Sequence, residues 1–419
     1  MSGGYLDRSR AGKLMAEQGL DALVLAQPET ISYATGAFPG VATYWRRAGA
    51  AFVIVPRAAT EPMAAVVGDL QADAFGAQSG IADVRTHSIW VETGCYDSRL
   101  DNKNLDVAHA LVAGDLAIGK RERTSRPAQF DFTVSLGLLG DVLAERGLLQ
   151  ARIGLELGFV SVREFSSFQA TLPHVSWADA SHLVERLRAI KAPGEIERLR
   201  LAAELSRAGV LALERSIRPG MDAAQMTAIW RAAAVAEAAR RALPPPDSTW
   251  AYIAVGGDGF APGGPAQLGD LIKIDVGCVV GGYSSDGGRT AVLGRAGGAE
   301  RRVYDALRKA FDAGMAVLKP GTPFATVYRV VAECMWNAGF TTYGRGHFGH
   351  GVGASIWSEE WPFISADATA SAEPGMVLAF ETPYYIKGLG GFIIEDQLLV
   401  SATGIEIMAP MSRALIEVR

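Results

Sequence analysis

The sequence predicts an α/β N-terminal half followed by an α+β half built on acid-bearing strands, and three observations carry this expectation. Short apolar runs alternate with helical periodicity from the N-terminus to about Trp177. Long helical stretches then fill residues 180–239. After Pro244, Pro245 and Pro246, a break that no helix survives, apolar strands appear that end in carboxylates.

Taken in order, residues 8–18 carry helical spacing, and 21–25 and 50–55 are continuous apolar runs of strand length. The runs at 115–119 and 152–156 each follow a plausible helix, so both are expected as further strands of an α/β sheet domain. The helical region is interrupted at Ala192-Pro193-Gly194 and at Arg218-Pro219-Gly220, where proline and glycine end or cap helices. This change of texture places the domain boundary at 180/181, giving an N-terminal domain over 1–180 and a second domain over 181–419. In the second domain, strands are expected at 271–275, 376–380 and 392–395. Glycine, 48 residues in all, clusters in this half, where tight turns and close backbone approach use it.

Composition narrows the function. The net charge of −5, from 40 Lys+Arg against 45 Asp+Glu mixed along the chain, offers no basic stripe for a nucleic-acid backbone. Cys95, Cys278 and Cys334 are odd in number and lack CxxC spacing, so neither a disulfide framework nor a thiolate zinc site is expected. The N-terminus meets charge at Asp7, Arg8 and Arg10 without a signal-peptide pattern, and no run is apolar enough to span a membrane. A soluble, cytoplasmic protein is the expectation.

The acids carry the chemistry. A carboxylate at the end of an apolar strand is costly to bury unless something positive meets it, and Asp275, Glu381 and Glu395 all sit this way. Asp286 follows Asp275 by eleven residues across Gly277, Gly281 and Gly282, which suits two antiparallel strands joined by a glycine-rich turn. Glu395 follows Glu381 by fourteen residues across Gly388, Gly390 and Gly391, which suits a second such pair. His350 lies in Gly349-His350-Gly351-Val352-Gly353, where absent side chains leave room for a ligand. Four carboxylates converging without a cation repel one another, whereas divalent ions neutralise them. Oxygen ligands with one imidazole favour Mn²⁺, Co²⁺, Fe²⁺ or Zn²⁺ over a thiolate-seeking ion.

These blocks resemble the creatinase, prolidase, aminopeptidase P and methionine aminopeptidase superfamily. Residues 271–290, LIKIDVGCVVGGYSSDGGRT, look like its first aspartate block, and GHGVG at 349–353 looks like its histidine block. The flanks at 19–23, 31–36 and 187–195 look like the N-terminal domain and linker of its larger members. The resemblance implies a creatinase-like α/β N-terminal domain and an α+β pita-bread catalytic domain. It also implies two divalent ions, Asp275 on one, His350 and Glu381 on the other, with Asp286 and Glu395 bridging them around a shared hydroxide that serves as nucleophile. Glu381 is then the proton shuttle, and a homodimer is expected.

Departures from the peptidase pattern bear on substrate. The family histidine expected seven residues after His350 falls on Trp357, the 256–270 segment lacks its histidine, and Ile393 stands where an arginine is common. His347 precedes His350 by three residues where a proline peptidase has a histidine at four, and it carries that catalytic role over. Trp357, Glu359 and Glu360 are candidate substrate residues, because an aromatic and acidic segment suits a cationic group; Tyr385 resembles a family active-site tyrosine. The expected reaction is metal-dependent hydrolysis of an amide-type C–N bond in an Xaa-Pro-like dipeptide or a small amino-acid derivative. The alternatives are an ectoine- or creatine-type hydrolase, a lyase resembling dimethylsulfoniopropionate lyase, or a non-catalytic binding module.

Overall fold

The computed structural model of the chain describes residues 3–97, 99, 107–118, 125–355 and 359–418. It divides into two compact units, Met1–Val184 and Glu185–Arg419. Among the described residues no helix is long and apolar enough to cross a membrane, and Cys95, Cys278 and Cys334 are free thiols.

The first unit is built on six strands: β1 (Ala22–Leu25), β2 (Ala51–Pro56), β3 (Ala64–Gly68), β4 (Asp83–His87), β5 (Arg152–Leu155) and β6 (Ser176–Asp179). They lie in the order β4-β3-β2-β1-β5-β6. The β1–β2 and β2–β3 pairs are antiparallel, and the remaining pairs are parallel. Strands β1, β2 and β3 are buried along their whole length, as the unbroken apolar runs require. Phe52 and Ile54 pack with Leu136, Leu139 and Phe168 from the helices Phe132–Glu145 and Val162–Thr171. Each helix begins on a side-chain cap, Asp131 for the first and a Ser161–Glu164 capping box for the second.

One expectation fails here. The run at 115–119 is not a strand: Asp115, Leu116 and Ala117 end the helix Val107–Ala117, and Gly119 lies outside the described residues. A short apolar run has no periodicity that separates helix from strand. The Asp115 carboxylate instead accepts from the backbone N–H of Cys95 at 2.8 Å.

The helix Ser181–Ala189 carries the chain across the division, and the helices Pro193–Ser216 and Ala223–Arg240 follow. Pro193 sits in the first turn of its helix, where its missing N–H is harmless, and Asp222 caps the next. The second unit then lays down β7 (Ser248–Ala251), β8 (Ala254–Val255), β9 (Leu271–Val280), β10 (Tyr283–Ser284), β11 (Gly287–Leu293), β12 (His347–Gly351), β13 (Glu360–Ser365), β14 (Val377–Glu381), β15 (Tyr384–Ile386), β16 (Gly390–Phe392), β17 (Glu395–Val400), β18 (Ile405–Ile407) and β19 (Ile416–Val418). The main path of its large sheet runs β10-β9-β11-β17-β14-β12-β13. The long helix Pro193–Ser216 contributes Ala202 and Leu205 to a core shared with Ile272, Ile274 and Val276 of β9, while Phe311 and Phe324 of two further helices meet Phe380 and Leu378 of β14.

The run at 392–395 is not one continuous strand. It breaks at Ile393 and Ile394, between β16 and β17. Thr290 causes the break to be tolerated: its hydroxyl donates to the Ile393 carbonyl at 2.9 Å and accepts from the Ile393 N–H at 2.8 Å. A side chain thereby satisfies backbone groups that the β11–β17 ladder, reduced to the single pair Gly288–Glu395, leaves open.

Candidate metal centre

The expected ligands reach one cavity through strand register. Asp275 on β9 lies opposite Gly288 on β11, and Asp286 immediately precedes β11, after a reversal in which Gly281 and Gly282 have φ of 56° and 80°. Glu381 at the end of β14 pairs directly with Glu395 at the start of β17, and the small hairpin β15–β16 connects them. Paired residues on adjacent strands project to the same face, so both glutamates point into the same space. His350 on β12 lies beside Ala379 of β14. Gly349, at φ 146°, is required there, because a Cβ would stand 2.3 Å from the Ala379 carbonyl oxygen.

Asp275, Asp286, His350, Glu381 and Glu395 all line a cavity of about 830 Å³. Within it the five are not equivalent. Asp286, His350 and Glu395 bring ligand atoms within 4.8 Å of one another, a grouping that, among the described residues, includes neither Asp275 nor Glu381. His350 Nε2 stands 3.5 Å from Asp286 Oδ2, and its Nδ1 is 3.0 Å from the Gly351 carbonyl. A carbonyl accepts only, so Nδ1 carries the proton and Nε2 presents its lone pair to the cavity. Burial holds this imidazole below its ordinary pKa, which keeps it neutral and able to ligate.

Asp275 and Glu381 each meet a cation instead. Lys273, two residues before Asp275 and therefore on the same face of β9, donates from Nζ to Asp275 Oδ2 at 2.9 Å. Arg345 donates to Glu381 Oε1 at the same distance. Burial opposes the charge on Lys273, but Asp275, then Tyr385 and Glu395, hold its pKa above the ordinary lysine value. Burial opposes the charge on Arg345 too, and Glu381, Tyr343, Tyr385 and Glu395 together raise its pKa against it. Glu395 has no such partner. Burial first, and then the neighbouring charges of Asp286, Glu381 and Asp275, push its pKa well up, and burial likewise raises Glu381 despite Arg345.

Backbone contacts hold the candidate ligands from behind. The Asp286 N–H donates to Gln397 Oε1 at 3.2 Å, and Gln397 in turn donates to the Leu199 carbonyl. Buried Arg289 donates to the Glu395 carbonyl at 2.6 Å and pairs with Asp396 at 2.6 Å, and Arg413 holds the other Asp396 oxygen. The backbone at two candidate ligands, Asp286 and Glu395, is therefore held by groups outside the lining of this cavity.

The other predicted residues separate. Tyr385 and Glu359 line the cavity. Glu360 does not: its carboxylate is buried against Arg188 and lies 3.6 Å from Lys191 Nζ. His347 stands behind Glu381, its Nδ1 3.6 Å from Oε1, and burial lowers its pKa to about 4. Trp357 lies outside the described residues. Sequence reasoning missed Lys273 and Arg345, and also the aromatic wall formed by Trp250, Tyr252 and Phe260. Phe260 meets Tyr385 edge-on, with ring centroids 5.5 Å apart.

Comparison with known proteins agrees with this architecture. The family model for metallopeptidase family M24 matches residues 197–402, and that for the creatinase/prolidase N-terminal domain matches 8–78 and 116–190. Together they cover most of the chain, which belongs to the creatinase/prolidase superfamily of metallopeptidases. Its sequence is similar to the Xaa-Pro dipeptidase of Pyrococcus furiosus, 29% identical over 269 residues covering 63% of this chain and 75% of that protein. It is similar also to the ectoine hydrolase of Halomonas elongata, 26% identical over 294 residues covering 65% and 72%. The fold matches the prolidase from Pyrococcus horikoshii with a TM-score of 0.74 at 19% identity, covering 98% of this chain and 99% of that one. The protein is an enzyme of this metallopeptidase class, with the pita-bread fold in its catalytic domain.

The donor set fits a divalent ion at Asp286, His350 and Glu395. Glu395 Oε2 is buried without a hydrogen-bond partner among the described residues, and His350 Nε2 is a neutral lone pair. Two carboxylates and one imidazole suit a borderline divalent cation.

Proposed function

We propose that the protein is a divalent-metal-dependent hydrolase that cleaves an amide-type C–N bond in an Xaa-Pro-like dipeptide or a small amino-acid derivative. The observation that carries this reading is the convergence of Asp286, His350 and Glu395 in a cavity of about 830 Å³, a volume suited to a ligand of dipeptide size. When bound, the ion supplies Lewis-acid activation of water and of the scissile carbonyl. The chain's own groups supply the rest. Glu381, buried and with a raised pKa, is placed to hold a proton at Oε1 or Oε2 and deliver it to the leaving nitrogen. Arg345 keeps that carboxylate aimed at the cavity, and His347 stands behind it as a neutral ring. Trp250, Tyr252 and Phe260 line one side of the cavity and supply aromatic surface against which a ring such as proline can pack.

A second substrate within the same chemistry is a small cyclic nitrogen compound, favoured by the similarity to an ectoine hydrolase and by the aromatic wall. The test is turnover of Xaa-Pro dipeptides beside ectoine and creatine, with Mn²⁺, Co²⁺, Fe²⁺ or Zn²⁺ added and products resolved by chromatography. Free proline, a ring-opened amino acid from ectoine, or urea and sarcosine from creatine supports hydrolysis. An unsaturated product formed without uptake of water assigns a lyase, and no turnover of any of these sets the reading aside.

A further inference from the structure

We infer that the site takes a single divalent ion, bound at Asp286, His350 and Glu395, and that the ammonium of Lys273 occupies the place a second ion would take against Asp275. The inference rests on the metallohydrolase reading above and concerns how its centre is charged. It departs from the two ions that the sequence resemblance implies.

Geometry carries the argument. Asp275 is the ligand that distinguishes the expected first ion, and its Oδ2 is taken by Lys273 Nζ at 2.9 Å. Lys273 cannot withdraw to solvent along its stem, because its side chain is 2% exposed and sits mid-strand on β9. Ala254 of β8 and Thr290 of β11 flank it in register, both small enough to leave its stem room above the sheet. The ring of Tyr385 closes over the ammonium, 5.4 Å from Nζ to centroid. A dication against Asp275 would stand beside this fixed positive charge with little water to screen it.

The charge count agrees. Asp275, Asp286, Glu359, Glu381 and Glu395 are the acids that line the cavity and Arg231, Lys273 and Arg345 the bases, a formal excess of two negative charges. One divalent ion neutralises the remainder, whereas two leave the buried site with an excess of positive charge. The spatial grouping supplies the site for that ion: Asp286, His350 and Glu395 bring ligand atoms within 4.8 Å of one another, while Asp275 and Glu381 each accept a hydrogen bond from a cationic side chain.

The experiment is calorimetric titration of chelator-stripped full-length protein with Mn²⁺, with electron paramagnetic resonance on the loaded samples. The wild type is expected to bind one equivalent and show an isolated Mn²⁺ signal. Lys273→Met keeps the aliphatic stem and removes the charge, and it is expected to bind a second equivalent with an exchange-coupled signal. Lys273→Arg keeps the charge and is expected to stay at one. Near-UV circular dichroism establishes that each variant is folded, and the wild-type stoichiometry decides even where a variant is not. Two equivalents in the wild type, or one in a folded Lys273→Met protein, overturns the inference and leaves the hydrolase reading standing. No Mn²⁺ bound by the wild type removes both.

Discussion

The two sides of the catalytic cavity solve the same electrostatic problem in different ways. On one side Asp275 and Glu381 each accept a hydrogen bond at 2.9 Å from a cationic side chain, so the protein neutralises them itself. On the other, Asp286 and Glu395 converge on a neutral imidazole, and Glu395 is left buried with a raised pKa and an unpartnered oxygen. The first arrangement is complete as folded. The second leaves a buried acceptor that a bound cation would satisfy, and burying such a group unsatisfied costs the metal-free fold stability.

This contrast gives predictions that run from the largest effect to the smallest. Asp286→Ala removes a ligand from the open side and is expected to abolish Mn²⁺ binding and lower kcat/KM by about 10³-fold or more, a loss typical of a missing metal ligand rather than of its supporting partner. Titration and steady-state kinetics check it together; retention of both properties would break the ligand assignment.

Asp275→Asn breaks the self-neutralised side, leaving Lys273 buried without its partner. It is expected to destabilise the metal-free protein by about 3 kcal/mol in urea unfolding, the scale for uncoupling a buried ion pair. A change below about 1 kcal/mol would mean that the pair contributes no more than a surface bridge.

A buried carboxylate outside the cavity sharpens the comparison. Glu195 closes the capping box of the helix Pro193–Ser216, accepts a hydrogen bond from Tyr283 at 3.0 Å, and is pushed by burial from 4.5 to about 7. A carboxyl whose folded pKa is raised binds its proton more tightly in the native state. Its contribution is fully present below about pH 4.5 and is lost as pH rises through about 7. Stability between these limits is expected to decline by about 2–3 kcal/mol from this group, and Glu195→Gln is expected to flatten that part of the profile measured by urea unfolding. An unchanged slope would contradict the assignment.

The smallest expected effect has the opposite sign to that of Asp275→Asn. Glu395→Gln removes the ionisable group that the metal-free protein must bury, so stability without metal is expected to rise by about 1–2 kcal/mol at pH 7 while Mn²⁺ affinity falls at least about 100-fold. Destabilisation of the metal-free protein would show that the two sides do not differ as described.

Much of this site was legible in the sequence, because glycine spacing and strand ends are local signals. The intervals between Asp275 and Asp286 and between Glu381 and Glu395 match antiparallel pairs in the sheet, β9 with β11 and β14 with β17. Lys273 was equally legible from strand alternation, two residues before Asp275, but attention to acids alone passes over a base on the same face. Arg345 gave no such signal, since its meeting with Glu381 depends on how β12 pairs with β14. Glu359 and Glu360 show the limit of reading a segment as a unit. One lines the cavity, while its neighbour meets Arg188 and Lys191, more than 160 residues earlier in the chain. The helix at Asp115 and the break at Ile393 were hidden for a related reason, because Cys95 and Thr290 are the partners that settle them.

The most direct test of the proposed chemistry is hydrolysis of an Xaa-Pro dipeptide series and of ectoine by the purified protein before chelation, after chelation, and after Mn²⁺ is restored. Turnover of at least one of them that disappears with the metal and returns with it is the predicted result. Undiminished turnover by the fully stripped protein would contradict a metal-dependent hydrolase.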